Sequence, residues 1–207
     1  METNLFKTRG KIIKIANLKD GNVWLKVLSK NSRPIIFNVY TTQEIMTKNN
    51  IGFKDVVIIE GNIVPYVFTT GKTKIKTQKF VATSIEKDKT LGEAVFGTKT
   101  QYYDDHYTKI YLSGEVKKVI KKENFSRYII SQENGEIIVN GRIKDDAIHA
   151  GDYVEFVCSL STPTKQFKEK DNKKVDYEDI VILDYARPHI EKSVNKEVST
   201  KDITQYV

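Results

Sequence analysis

The chain has 207 residues, 39% of them hydrophobic and 29% charged, with a formal net charge of +7. That composition suits one large or two small globular domains, and the longest apolar runs, such as Val56 to Ile59, fall far short of the ~20 residues of a membrane-spanning helix. Cys158 is the only cysteine, which excludes an internal disulfide and a cysteine-based zinc site, and His106, His149 and His189 are too scattered to form a ligand set. Neither a metal nor any other cofactor is expected. No apolar segment of signal-peptide length opens the sequence, so a cytoplasmic protein is expected, with no membrane partner.

The charge is uneven. Residues 1–89 hold 16 Lys and Arg against 7 Asp and Glu, a balance of +9, whereas residues 109–190 hold 14 against 14. A basic segment attracts polyanions; the competing reading is a solvated lysine-rich surface.

In chain order, the first predicted strand is TRGKIIKI (Thr8 to Ile15), followed by the turn NLKDGN and two alternating runs, NVWLKVLS and IIFNVY (Ile35 to Tyr40). TTQEIMTKNN (Thr41 to Asn50) reads as a short helix opened by a capping box from Thr41 to Glu44. A fourth strand, FKDVVIIEGNI (Phe53 to Ile63), runs on through IVPYVFTTGKTKIK, and IKTQKFVATSIEK (Ile75 to Lys87) is the fifth. Residues 90–108 form a linker whose Val95, Phe96, Tyr102, Tyr103 and Tyr107 are too aromatic for a free tether.

The same order then returns. LSGEVKKV (Leu112 to Val119) repeats the opening with its glycine, RYIIS and EIIVNGRI (Glu136 to Ile143) follow, and AGDYVEFVCSL (Ala150 to Leu160) matches the fourth strand, Asp for Asp. KDDAIHAG leaves room for about one helical turn between them. VDYEDIVILDYAR (Val175 to Arg187) overlays Ile75 to Lys87 without a gap. The expected units are residues 1–89, a linker at 90–108, residues 109–190 and a tail at 191–207. Three strands, a helix, then two strands is the layout of the OB-fold, a small Greek-key barrel, so the expected fold is all-β: two tandem five-stranded OB-fold barrels with small helical elements. Gly10 and Gly114, placed near the start of their strands, mark the bend that joins both halves of such a barrel.

EIIVNGRIKDDAIHAGDYVEFVCSL resembles the bacterial and phage single-stranded-DNA-binding protein family, in which a third strand ending in glycine leads through a helix to a fourth strand of the form V-x-V-x-G-x-L. FKDVVIIEGNI fits the same pattern and keeps Gly61 where the second copy has Cys158. The resemblance implies binding of unpaired DNA, an aromatic near Phe68 on the hairpin between the fourth and fifth strands, and a homodimer, since relatives with two OB-folds per chain dimerise. Proteins of the replication machinery are implied as further partners. The acidic tip by which the family recruits them is absent from KEVSTKDITQYV.

Alternation within strands supplies an independent case, because successive side chains point to opposite faces. With Val23, Leu25, Val27, Ile35, Phe37 and Val39 inward, Trp24, Lys26 and Tyr40 face outward, with Arg33 in the turn between. With Ile63 and Val67 inward, Tyr66 and Phe68 face out, and Lys72, Lys74 and Lys76 follow for phosphates. Stacking on unpaired bases is worth about 1–3 kcal/mol per base; packing under the helix or against the second domain is the competing role for Trp24 and Tyr40. The second copy offers only Phe125 and Arg127 near its first turn and Phe167 in its hairpin. Weaker binding or self-association is expected of it.

Asp104, Asp105 and His106, or Asp176, Glu178 and Asp179, do not complete a catalytic constellation, so no enzyme is expected. The reading is a sequence-independent binder of single-stranded DNA or RNA that protects unwound strands in replication or recombination. The alternative is an OB-fold adaptor that meets proteins and not DNA. A composition rich in lysine and poor in arginine suits an AT-rich genome, phage and plasmid included.

Overall fold

In the computed structural model, residues 3–30, 34–70, 73–89, 108–123, 125–141, 147–161 and 182–191 are described, with 30, 34, 68–70, 73–77, 161 and 182–191 as backbone alone. The expectations for the linker and the tail fall outside them. Among the described residues, ten strands and one short α-helix, with a 3-10 turn at Lys19–Gly21, follow in chain order: β1 (Asn4–Asn17), β2 (Asn22–Lys30), β3 (Pro34–Thr42), α1 (Gln43–Lys48), β4 (Val56–Thr70), β5 (Thr73–Lys87), β6 (Thr108–Lys121), β7 (Ser126–Gln132), β8 (Gly135–Gly141), β9 (Tyr153–Ser161) and β10 (Ile182–Glu191). Strand pairing closes a ring β1-β2-β3-β5-β4 back to β1, and a second ring β6-β7-β8-β10-β9 back to β6. The fold is all-β, with two five-stranded OB-type barrels.

Each barrel is filled as strand alternation dictates. Val23, Leu25 and Val27 of β2 and Ile35, Phe37 and Val39 of β3 are buried, and Phe80 sits edge-on to Phe6 and Phe37 with ring centroids 5.2 and 5.5 Å apart. In the second barrel the buried Tyr128 and Phe156 rings lie with centroids 5.6 Å apart.

β1 begins at Asn4, earlier than the alternation suggested, so Gly10 stands in mid-strand and not near its start. It is the crossing point: Gly10 pairs with Ser29 of β2 on one side and Val57 of β4 on the other. A Cβ there would meet Val27 Cγ1 and lie 2.8 Å from the Leu28 carbonyl oxygen. Gly114 pairs with Val154 in the same way and approaches the Ser131 carbonyl. Bulges follow both glycines, leaving Ile13 and Lys117 unpaired against β2 and β7.

The register recurs between the barrels. Phe6 faces Gly61 and Ile110 faces Cys158, so those two residues are equivalent. The fifth strands do not overlay as the sequence suggested. Gly61 pairs with Ala82 and Cys158 with Tyr185, which places Tyr185 and not Ile182 over Ala82, three residues further on. Both fifth strands then carry a bulge at one equivalent residue, Thr83 and Ala186. An ungapped alignment misses this, because six more residues separate Cys158 from Tyr185 than separate Gly61 from Ala82 (27 against 21).

Helix α1 is capped by Thr42, whose Oγ1 accepts from the Ile45 amide at 3.3 Å. Thr41 is buried at the end of β3, so the expected Thr41–Glu44 capping box does not form. The helix ends in a Schellman motif: Asn50 (φ 50) and Ile51 donate to the Thr47 and Met46 carbonyls, and Ile51 is buried with Met46. In the second barrel the expected helical turn falls partly outside the described residues; Ala147 to Gly151 are non-helical and bury Ile148. β4 and β5 project beyond the barrel as a long hairpin, so Val67, expected inside, is 52% exposed.

The barrels are joined through β1 itself, which pairs with β6 from Asn4–Leu112 to Thr8–Thr108. Beneath that seam the hydroxyls of Thr8, Ser29 and Thr108, all buried, lie within 2.7–3.2 Å of one another, and Ser29 also donates to the Arg9 carbonyl. Buried hydroxyls satisfied in this way avoid a desolvation penalty of about 1–3 kcal/mol each.

Replacing Gly10 by Ala forces its methyl onto β2 and is expected to destabilise the chain by about 1–3 kcal/mol, lowering Tm by about 2–4 °C per kcal/mol for a chain of this size. A thermal melt checks it; an unchanged Tm would show that the crossing has room.

Candidate nucleic-acid interface

The side chains that do not fill the first barrel form its outer face. Trp24 of β2 stands directly opposite Tyr40 of β3, with Ala16 of β1 on its other side, and Tyr40 is followed across the parallel β3–β5 pairing by Val81. Lys79 Nζ lies 4.7 Å from the centre of the Tyr40 ring and 3.4 Å from that of Tyr66. Lys14 and Lys26 lie 5.2 and 5.8 Å from the Trp24 ring. Three rings on one face are therefore flanked by three ammonium groups, each contact worth about 0.5–1 kcal/mol at an exposed site. Trp24 and Tyr40 are half-buried and Tyr66 is exposed. Such a face presents π-surface to a flat heterocycle and positive charge to the anion attached to it.

Of the residues singled out in the sequence, Trp24, Lys26, Tyr40 and Tyr66 come together here. Trp24 and Tyr40 face each other across the β2–β3 pair, and α1 contacts β3 and β5. On the β4–β5 hairpin the backbone register sets Phe68 opposite Ile75, Lys74 opposite Thr69 and Lys76 opposite Val67, one step from the Tyr66–Thr77 pair. Arg33, Lys72 and Phe167 lie outside the described residues. Phe125 and Arg127, both half-buried, are on the second barrel, away from this cluster at the start of β7.

The common register shows what replaces the aromatic pair there. Tyr40 is the β3 residue that pairs with the residue after Phe80, and Asn140 is the β8 residue that pairs with the residue after Leu183. Tyr40 faces Trp24; Asn140 faces Arg127. The second barrel thus carries Arg127 and Asn140 where the first carries Trp24 and Tyr40, and Arg127 Nε donates to Asn140 Oδ1 at 2.9 Å. Half-buried Ile129 and Ile138 face each other two positions further along the same strands.

Two cations of the face escaped the sequence reading. Lys79 was legible, since it precedes inward Phe80, but Lys14 was not: only the bulge at Ile13 turns it toward Trp24. Also unforeseen was a row of exposed apolar side chains, Leu5, Tyr111 and Val157, which stand in register across β1, β6 and β9. Among the described residues, no group of three or more His, Cys, Asp or Glu could hold a metal ion, and no helix is long and apolar enough to cross a membrane.

No protein-family model matches the sequence, and no curated protein matches it in sequence. In structure, the chain is similar to the wild-type single-stranded DNA binding protein from Thermus aquaticus, with a TM-score of 0.58 at 11% identity, covering 92% of this chain and 93% of that one. A deletion mutant of the same Thermus protein gives a TM-score of 0.57 at 10% identity over 92% and 94% of the two chains. The mitochondrial single-stranded DNA binding protein of S. cerevisiae, Rim1, matches 42% of the chain at a TM-score of 0.35 and 16% identity, too low to bear on the argument. At these identities the likeness establishes the fold: this chain is built as an all-β, OB-type protein, the fold of the Thermus aquaticus single-stranded DNA binding protein.

Proposed function

We propose that this chain is a non-catalytic protein that binds single-stranded DNA, with RNA as a second ligand, largely without regard to sequence. The observation that carries the reading is the outer face of the first barrel, where Trp24, Tyr40 and Tyr66 each have a lysine ammonium over the ring. Bases stack on the rings while Lys14, Lys26 and Lys79 turn to the phosphates, and Phe68, Lys72, Lys74 and Lys76 of the hairpin, with Arg33, extend the path. The naming of the Thermus aquaticus protein, which shares the fold, supports DNA as the ligand. Residues 1–89 are the main binding unit, and residues 109–190, with Phe125, Arg127 and Phe167, are a weaker one. In the cell, in the cytoplasm, the protein covers strands unwound in replication or recombination. It works as a homodimer, for which the row Leu5, Tyr111 and Val157 is the surface best suited to a second copy.

Titration of the intact chain with oligo-dT tests the reading through its only tryptophan. Trp24 emission is expected to be quenched by single strands and far less by duplex, with affinity falling as salt rises by a log–log slope of about −0.7 per phosphate contact. No quenching at saturating oligo-dT would sink the proposal, and an affinity indifferent to salt would favour a protein-binding role. Because β1 is bonded to β6, the division of labour is best tested in the whole chain. The change Arg127→Trp, at a half-buried position beside buried Asn140, should add a stacking ring and tighten binding by about 1–3 kcal/mol for the extra base engaged; unchanged affinity would mean that the second barrel does not meet the strand. Tyr111→Asp should turn a sedimenting dimer into a monomer, and a dimer that survives it must use another surface.

A further inference from the structure

The turn that leads into β4 of the first barrel and the one that leads into β9 of the second are built alike from different residues. In the first barrel the Lys54 amide donates to the Ile12 carbonyl and the Ile12 amide to the Asp55 carbonyl, both at 2.9 Å, while Asp55 Oδ2 accepts from Gly52 at 2.7 Å. In the second, Gly151 donates to Val116, Val116 to Asp152, and Asp152 Oδ2 accepts from His149, each at 2.8 Å. The bonds correspond one to one, yet the residues at the tip are Phe53 and Lys54 in one turn and Ala150 and Gly151 in the other.

Both turns demand a left-handed residue. Gly151 meets the demand at φ +94 without strain, whereas Lys54 adopts φ 71, a conformation that penalises any residue with a Cβ. The residue before it is equally out of keeping with a mere turn: Phe53 is 59% exposed, the most exposed of the large apolar side chains among the described residues. Lys54 Nζ lies 5.6 Å over its ring, the same aromatic and ammonium combination found at Trp24, Tyr40 and Tyr66. The turn is bonded to Ile12, two residues before Lys14 on β1, and the Lys14 ammonium already lies over Trp24.

We propose that Phe53 and Lys54 form a further single-strand contact, in which Phe53 stacks on a base and Lys54 meets the adjoining phosphate, the strand running from Trp24 past Lys14 to the α1–β4 turn. The inference rests on the reading of the first barrel as a single-strand binder. It accounts for the retained strain: a backbone conformation better served by glycine holds a lysine where charge is useful.

The test uses the intact chain and dT oligomers of about four to sixteen nucleotides, the range of single OB-fold sites, with Trp24 emission as reporter. Phe53→Ala is expected to weaken binding about tenfold for the longer oligomers, in keeping with the loss of one stacked base, and to leave the shortest unaffected. Lys54→Gly is the sharper arm, because strain relief and lost contact act in opposite directions: Tm should rise by about 2–4 °C while affinity falls and the salt slope flattens by about 0.7. A more stable Lys54→Gly variant together with a folded Phe53→Ala variant, both binding every length as the parent does while Trp24 is still quenched, would overturn this inference alone. Failure of oligo-dT to quench Trp24 in the parent chain would overturn both it and the function on which it rests.

Discussion

Strand β1 has to satisfy three neighbours with one backbone. Its first residues pair with β6, its middle with β4 and its last with β2. A strand has only two edges, so the change of partners requires it to bend sharply while both edges remain bonded. Gly10 makes this possible by removing the Cβ that would strike Val27 and Leu28. The bulge at Ile13 then absorbs the extra twist. The buried Thr8, Ser29 and Thr108 hydroxyls tie β1, β2 and β6 at the place where the strand leaves one barrel for the seam with the other. Nearby, Arg9 Nε lies 3.2 Å from a carboxylate oxygen of fully buried Asp88, at the end of the last strand of the first barrel.

The interface inherits its geometry from that bend. Without the bulge, strict alternation would send Lys14 to the side of Ile12, which is buried. With it, the ammonium lies over Trp24. The remaining members come from ordinary alternation: Trp24 and Tyr40 face each other because their neighbours Leu25 and Val39 fill the core, and Lys79 reaches the tyrosines because Phe80 points inward. A face that looks assembled for a ligand is in large part the unavoidable back of a well-packed barrel wall, and its chemistry lies in which residues occupy that back.

The two barrels make this separable. They share register, bend glycine, turn-making aspartate and the bulge in the fifth strand. What differs is what stands at equivalent positions: Trp24 and Tyr40 against half-buried Arg127 and buried Asn140, and Phe53 and Lys54 against Ala150 and Gly151. The second barrel pairs its polar residues with each other at 2.9 Å and keeps its turn unstrained, the pattern of a wall that has settled for stability. The first leaves rings and charges outward. The projecting hairpin leans on the second barrel, with the Gln78 side-chain amide bonded to both the amide and the carbonyl of Ile138, so the neutral barrel also steadies an element of the basic one.

By itself the sequence determined which side chains of β2 and β3 fill the first barrel, the recurrence of one strand order, the bend glycines and the aromatic core of the candidate face. These are local properties: a strand has a period of two, so Val23, Leu25 and Val27 declare their own side and leave Trp24 and Lys26 to the other. Only the tertiary structure decided the join of β1 to β6, the three-residue displacement of β10, the outward turn of Lys14, the Arg127–Asn140 pair and the exposed row of Leu5, Tyr111 and Val157. Each depends on a partner distant in the chain. Register and bulges are fixed where two strands meet, and no single strand carries the identity or the offset of the one it will bond.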